Sequence, residues 1–243
     1  MMREWFATSF CALVFAASAI NSRGADIAQQ RAQVFEGQTT HSFHLSYLLF
    51  LPADYEKNIS QRWPLILYLH GGSLRGTDID SVRKLGLPRK IESEPSFPFV
   101  VVSPQCPAGE IWTDVEALGA LLDHIQTAYR IDSDRIYVTG HSMGGRGALY
   151  VAYRFPQRFA AILALSPLSP ITAWGEKLAK VPLWILHGDA DSIAQVADTK
   201  ELARSIEAAG GHPRIEILPA RDHSLLDIYE RPDIYKWLIQ QKR

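Results

Sequence analysis

The chain is poor in cysteine. Only Cys11 and Cys106 occur among its 243 residues, which excludes a disulfide-built scaffold and leaves stability to an apolar core. Cys11 lies in an N-terminal apolar stretch with no lipobox around it. Cys106, in Ser103-Pro104-Gln105-Cys106-Pro107, lacks the turn-to-helix setting of a nucleophile and reads as a packed or loop thiol. An excess of charge of one sign is also missing. Lys and Arg total 25 against 26 Asp and Glu, a formal net charge of −1. That balance excludes the broad basic surface that nucleic acid binding needs, and gives no pull towards an anionic membrane. There is no repeat and no low-complexity linker. His41 and His44 show no metal-ligand spacing, and nothing in the chain calls for a cofactor.

What is present is ordinary globular composition, 47% hydrophobic and 21% charged, with length enough for one substantial core. The N-terminus stands apart. Arg3 and Glu4 precede an apolar stretch from Phe6 to Ile20, short for a bilayer span and suited to the central region of a secretory signal. Ala17-Ser18-Ala19 supplies a cleavage pattern, and Ser22-Arg23-Gly24 a second. We therefore expect a signal peptide over 1–24, cut after Ala19 or Gly24, then a single domain over 25–243 that is secreted or periplasmic. An uncleaved N-terminal anchor is the other reading.

Strand-like and helix-like runs then alternate. His44–Leu51, Pro64–Leu69, Phe97–Val102, Arg135–Thr139, Phe159–Leu165, Val181–Leu186 and Arg214–Leu218 read as strands. The run Pro64–Leu69 is continuously apolar, as for a strand buried on both faces. Thr113 and Glu116 read as a capping box, followed by Val115, Leu118, Leu121, Leu122 and Ile125 at helical spacing. Val196–Ala209 reads as a helix closed by Gly210-Gly211, and Ile228–Gln240 as a last helix broken near Pro232. Such alternation implies a mostly parallel sheet with helices on both faces, whose chemistry gathers at the carboxyl ends of the strands.

The sharpest signal is Gly140-His141-Ser142-Met143-Gly144-Gly145, between a strand-like and a helix-like run. This G-x-S-x-G pattern matches a nucleophile elbow, in which a serine sits on a strained turn at a helix N-terminus. A serine hydroxyl needs a base, and the base an orienting carboxylate. Of the later histidines, His187 continues into a Gly-Asp turn and His212 falls in a loop on the far side of the sheet. His223 follows the last strand on the expected edge, and is the base we select. In chains built on such an elbow the acid comes between serine and base in sequence, which points to the loop after Val181–Leu186, where Asp189 and Asp191 compete. Asp189 suits a turn-bonding role, so Asp191 is preferred; Asp222, adjacent to His223, points elsewhere. An oxyanion needs preorganised donors. The N–H of Met143 is one, and the loop His70-Gly71-Gly72-Ser73 offers the other, from Gly72 or, as the alternative, Ser73.

From about Tyr47 onward the chain resembles the single-domain α/β-hydrolases of the esterase, polyhydroxybutyrate-depolymerase-like and predicted-peptidase group. The resemblance rests on Leu69–Gly76, on Val102–Pro107 with Trp112 following, on Asp134–Gly145 and on His187–Asp191. It implies the α/β-hydrolase fold and the triad Ser142, Asp191 and His223. The acid loop departs from the family's usual Pro-Val continuation, reading Ser192-Ile193-Ala194-Gln195-Val196, and Asp222 stands where a glycine commonly precedes the base. The stretch Ser166–Lys180 is too short for a large lid domain, so an open site is expected. Trp112 and Trp174 are candidates to line its mouth, and Arg75 and Ser73 to meet polar substrate groups. These expectations add up to a serine carboxylesterase without cofactor, acting on a small-molecule or polysaccharide-linked ester. A serine peptidase on the same scaffold, and a non-catalytic binding protein, are the alternatives.

Overall fold

A computed structural model describes residues 29–38 and 42–243. The expected signal segment, Cys11 and His41 lie outside these residues. Eight strands form one sheet: β1 (Gln30–Gln38), β2 (Ser42–Phe50), β3 (Trp63–Leu69), β4 (Val100–Pro104), β5 (Ile131–His141), β6 (Ala161–Leu165), β7 (Leu183–Gly188) and β8 (Arg214–Leu218). Their order is β1-β2-β4-β3-β5-β6-β7-β8. β1 and β2 run antiparallel, as do β2 and β4; every pairing from β4 to β8 is parallel. Among the described residues six helices accompany the sheet: α1 (Gly86–Ile91), α2 (Val115–Ala128), α3 (Met143–Arg154), α4 (Gly175–Leu178), α5 (Val196–Ala208) and α6 (Pro232–Gln240). This is the α/β-hydrolase fold, and the short connection between β6 and β7 holds no large lid.

Strand periodicity divides the core in two. Leu65, Leu67, Leu69, Val138 and Ile185 point to one face and pack against α2, α3 and α5. Ile66, Tyr68, Tyr137 and Trp184 point to the other, against α1 and α6. All seven residues of β3 are buried, as its uninterrupted apolar run requires. Two details differ from the sequence expectations, and a third is borne out. β1 was not anticipated: its sequence QRAQVFEGQ carries few apolar residues, and it is an edge strand paired with β2 along nine residues by backbone bonds. The cap of α2 is Asp114, not Thr113; its carboxylate accepts the Ala117 N–H at 3.1 Å, while Glu116 pairs with Arg154. The last helix does break at Pro232, with a separate 3-10 turn at Leu226–Glu230 before it.

Sheet and α3 meet without space for side chains. A Cβ on Gly144 would lie 1.8 Å from the Leu69 carbonyl oxygen, and one on Gly140 would lie 2.4 Å from the Gly144 backbone. Neither obstacle is a side chain that can swing aside. Gly144→Ala is therefore expected to destabilise the fold by about 4 kcal/mol or more, at the extreme of single substitutions. Loss of soluble protein, or a large drop in the denaturant midpoint, checks this; a near-normal midpoint refutes the tight elbow.

Candidate active site

Ser142 ends β5 and begins α3 with φ 58° and ψ −118°, a conformation that L-residues adopt only under constraint. The constraint is visible. Its N–H donates to Leu165 O at 2.9 Å, and its carbonyl accepts from Arg146 N and Leu168 N. β6 and α3 thus hold the turn from both sides, leaving the half-buried side chain facing out of the sheet.

His223 comes from the loop after β8. Its Nε2 lies 2.8 Å from Ser142 Oγ, and its Nδ1 lies 2.7 Å from Asp191 Oδ2. Asp191 is buried on the loop after β7, and its other oxygen accepts the N–H groups of Ile193 and Ala194, both at 2.8 Å. Burial pushes this carboxyl's pKa up, but those two amides and His223 together outweigh it and hold the group below its ordinary range. With an ionised Asp191, His223 carries its proton on Nδ1 and presents a bare Nε2 to the hydroxyl. A line of this kind can move a proton off Ser142 as its oxygen attacks a carbon centre.

Two further histidines frame the line. His141 Nε2 donates to the carbonyl of His223 at 2.6 Å, tying the loop of the imidazole to the strand of the serine. His187 Nδ1 accepts from Thr199 Oγ1 at 2.8 Å, and its Nε2–H points between Ala194 O at 3.0 Å and Asp191 Oδ2 at 3.2 Å. The sequence sets His187 aside as the start of a Gly-Asp turn, a structural position, and gives His141 no role. The spacing of His187 and Asp191 across a tight turn is a signal for the first. Nothing in the sequence foretells which way the His141 ring turns.

The His70-Gly71-Gly72 turn lies beside Ser142: a Cβ on Gly71 would be 3.8 Å from the Ser142 Cβ. His70 anchors it, accepting Cys106 N–H on Nε2 at 3.0 Å and bonding Gly71 O through Nδ1. Gly72 opens a 3-10 turn and Met143 opens α3, so the N–H of each stands at a first position with no intrahelical acceptor. Arg75 is exposed, but its guanidinium donates to Gly72 O at 3.0 Å and Glu110 O at 3.1 Å, bracing this turn. That differs from the expected substrate contact.

Both tryptophans also differ from expectation. Trp112 is buried and donates to His70 O at 2.9 Å. Trp174 is buried in a stack with Tyr150 and Tyr153. Neither lines the cavity of about 470 Å³ beside the serine, whose walls include Ser73, Leu74, Ile193 and His223. An indole beside a tight turn is worth more as packing than as a platform, and sequence spacing does not separate the two. Asp189 accepts Ala220 N–H and Asp222 accepts Ser224 N–H, so each is occupied with its own turn. Cys106 is buried, and burial pushes its thiol up to about 11, opposite to the shift of a reactive thiol. Among the described residues no group of three or more His, Cys, Asp or Glu is placed to hold a metal ion.

Burial lowers the pKa of His70 to about 4, and lowers those of His141 and His187 as well. An unfolded chain protonates imidazole near pH 6.5, so between pH 6.5 and 4 the unfolded state binds more protons than the folded one. Stability is then full above about 6.5 and falls as pH drops towards 4. The urea midpoint is expected to decline through this window, and His70→Asn to flatten the decline. A flat profile in the parent protein refutes neutral burial of these rings.

The sheet, the elbow and the residues beside it define an α/β-hydrolase. More narrowly, the chain belongs to the Esterase family, whose model matches residues 43–206. It is 28% identical over 144 residues to the bifunctional acetylxylan esterase/xylanase XynS20E of Neocallimastix patriciarum, covering 56% of this chain and 20% of that protein. It is 39% identical over 92 residues to Cutinase 1 of Thermobifida cellulosilytica, covering 34% of this chain and 32% of that one. The matches thus span a fifth to a third of these curated relatives. Among solved structures, a thermostable esterase superposes with a TM-score of 0.76 at 26% identity, over 88% of this chain and 63% of its own. The CE1 ferulic acid esterase AmCE1/Fae1A of Anaeromyces mucronatus superposes at 0.68 and 15% identity, over 91% and 93%, a likeness of fold alone.

Proposed function

We propose that the protein is a serine carboxylesterase that cleaves short-acyl or aryl esters, free or carried on carbohydrate. The observation that supports this most is the unbroken line Ser142–His223–Asp191, at 2.8 and 2.7 Å, beside a glycine turn. Family membership supports ester chemistry, as do two relatives named for acetylxylan and cutin esters.

In this reading Ser142 Oγ attacks the ester carbonyl and passes its proton to His223 Nε2. The carbonyl oxygen becomes an oxyanion, held by the N–H of Met143 and that of Gly72, with Ser73 the alternative donor. Asp191 remains a carboxylate and stabilises the imidazolium without taking its proton. His223 then protonates the departing alcohol, leaving an acyl group on Ser142. Water, activated by the same imidazole, attacks that acyl carbon, and collapse releases the acid and restores the serine. No step needs a cofactor or metal. The apolar stretch before residue 24 supports export to the periplasm or beyond; no helix among the described residues is long and apolar enough to cross a membrane.

The test pairs a fluorophosphonate probe with p-nitrophenyl acetate and a p-nitroanilide peptide. Labelling at Ser142 with ester turnover and no anilide turnover is the expected result. Efficient anilide cleavage would favour the peptidase, and absence of both labelling and turnover would favour a binding protein.

A further inference from the structure

The loop that carries Asp191 is held unevenly. Its first half is tied by the backbone, with Asp189 N–H donating to Leu218 O and Ala190 N–H to Arg221 O. Its second half is not. Among the described residues no backbone-to-backbone hydrogen bond reaches Ser192, Ile193 or Ala194. From His187 to Gln195 there is no proline to stiffen the path, and Ser192, Ile193 and Gln195 are exposed. Yet this half fixes the carboxylate, since Asp191 Oδ1 accepts the N–H groups of Ile193 and Ala194. A catalytic group displaced by ~1 Å can lose about 10²-fold in rate, so something else must hold the segment.

Two completely buried polar side chains stand behind it: His187, near the end of β7, and Thr199, in the first turn of α5. Neither is on the wall of the cavity beside Ser142. His187 Nε2 bonds Ala194 O at 3.0 Å and lies 3.2 Å from Asp191 Oδ2, the oxygen that faces His223. One of these oxygens is a peptide carbonyl and the other belongs to an ionised carboxylate. Neither has a proton to give, so Nε2 carries the hydrogen. Burial lowers the pKa of His187 and keeps the ring neutral, which leaves Nδ1 bare. The Thr199 hydroxyl, 2.8 Å away, is therefore the donor to Nδ1. With the proton on Nδ1 instead, a bare Nε2 would face two oxygens, and the Ala194 carbonyl would lose its donor.

We propose that His187 and Thr199 are positioning residues for the acid of the triad: Thr199 fixes the tautomer of His187, and His187 holds Ala194, and through it the Asp191 carboxylate, in line with His223. This deepens the carboxylesterase reading and rests on its assignment of Asp191. A single line of buried contacts then runs from α5 to the nucleophile, through Thr199, His187, Asp191, His223 and Ser142.

The test measures p-nitrophenyl acetate turnover and the rate of fluorophosphonate labelling of Ser142. In Thr199→Val both kcat and the labelling rate are expected to fall about fivefold, the scale of one neutral hydrogen bond, with KM within about twofold of the parent. Thr199→Ser keeps the donor and should recover the rates. His187→Leu removes both bonds and should cost about thirtyfold, while His187→Gln, whose amide can donate in place of Nε2–H, should recover part of that loss. The decisive measurement is a double-mutant cycle. In an Asp191→Asn background Thr199→Val should slow labelling by less than about twofold, because the group it acts through is already gone. A full fivefold loss in that background, a change in KM rather than kcat, or unchanged rates in Thr199→Val overturns the proposal; if His187→Leu does not fold, the Thr199 series decides alone. Parent protein that labels but cleaves no ester refutes the carboxylesterase reading separately, and the labelling rates still report on Thr199. If the parent neither labels nor cleaves, the Nδ1–H resonance of His223 in the NMR spectrum of the resting protein decides: a shift or exchange broadening in Thr199→Val, reversed in Thr199→Ser, supports the positioning role, and an unchanged resonance refutes it.

Discussion

Ser142→Ala is expected to lower kcat on p-nitrophenyl acetate by about 10⁶-fold, the scale of removing an activated serine nucleophile. The fold should survive. The backbone at this position has φ 58°, and alanine meets the same steric cost there as serine. The surrounding backbone bonds to Leu165, Arg146 and Leu168 do not involve the side chain. What disappears is the oxygen that lies 2.8 Å from His223 Nε2, and with it every covalent step. Fluorophosphonate labelling should vanish together with turnover, while the denaturant midpoint stays close to that of the parent protein. Loss of activity below about tenfold would show that another group attacks the ester, and that the elbow serves only the fold.

Asp191→Asn should lower kcat by about 10⁴-fold, through the tautomer of its neighbour rather than through loss of shape. One carboxylate oxygen receives two N–H groups, from Ile193 and Ala194, so the amide oxygen of asparagine is drawn there. Its NH₂ group is then left facing His223 Nδ1 and the Nε2–H of His187, which was 3.2 Å from the carboxylate. A donor now meets Nδ1, so His223 shifts its proton to Nε2 and can no longer accept one from Ser142. Asp189→Asn is the control. Its side chain accepts only the Ala220 amide, an amide oxygen can do the same, and activity should hold within about threefold, because the surrounding turn keeps its bond. Comparable losses in the two variants would mean that the loop after β7, and not the Asp191 carboxylate, sets the rate.

The parallel strands and the elbow were legible because burial on both faces demands unbroken apolar runs. Few residue types fit a turn packed against two carbonyls, and Gly140 and Gly144 are among them. β8 was found at its observed bounds for a related reason: turn signals enclose it on both sides. β1 was not found. It is held by main-chain bonds at the edge of the sheet, and those leave almost no trace in side-chain type. The cap of α2 moved from Thr113 to Asp114 because both residues suit the position and only the path of the chain selects between them.

The site divides in the same way. Ser142, Asp191 and His223 could be chosen from chain order and strand ends, since proton transfer restricts the residue types and the fold restricts where they stand. Trp112, Trp174 and Arg75 could not be assigned from the sequence. Each has both an apolar or flexible body and polar donors, and so suits a wall, a brace or a core equally well.

Composition, periodicity and the glycine pattern by themselves determined a two-faced sheet and an elbow, because these follow from covalent geometry and from local burial; the order of the three groups along the chain came from the resemblance to α/β-hydrolases. Only the tertiary structure decided that His141 ties down the loop of His223 and that Arg75 braces a turn. Those outcomes depend on where a side chain's polar end arrives after packing, and that is set by residues far away in the chain.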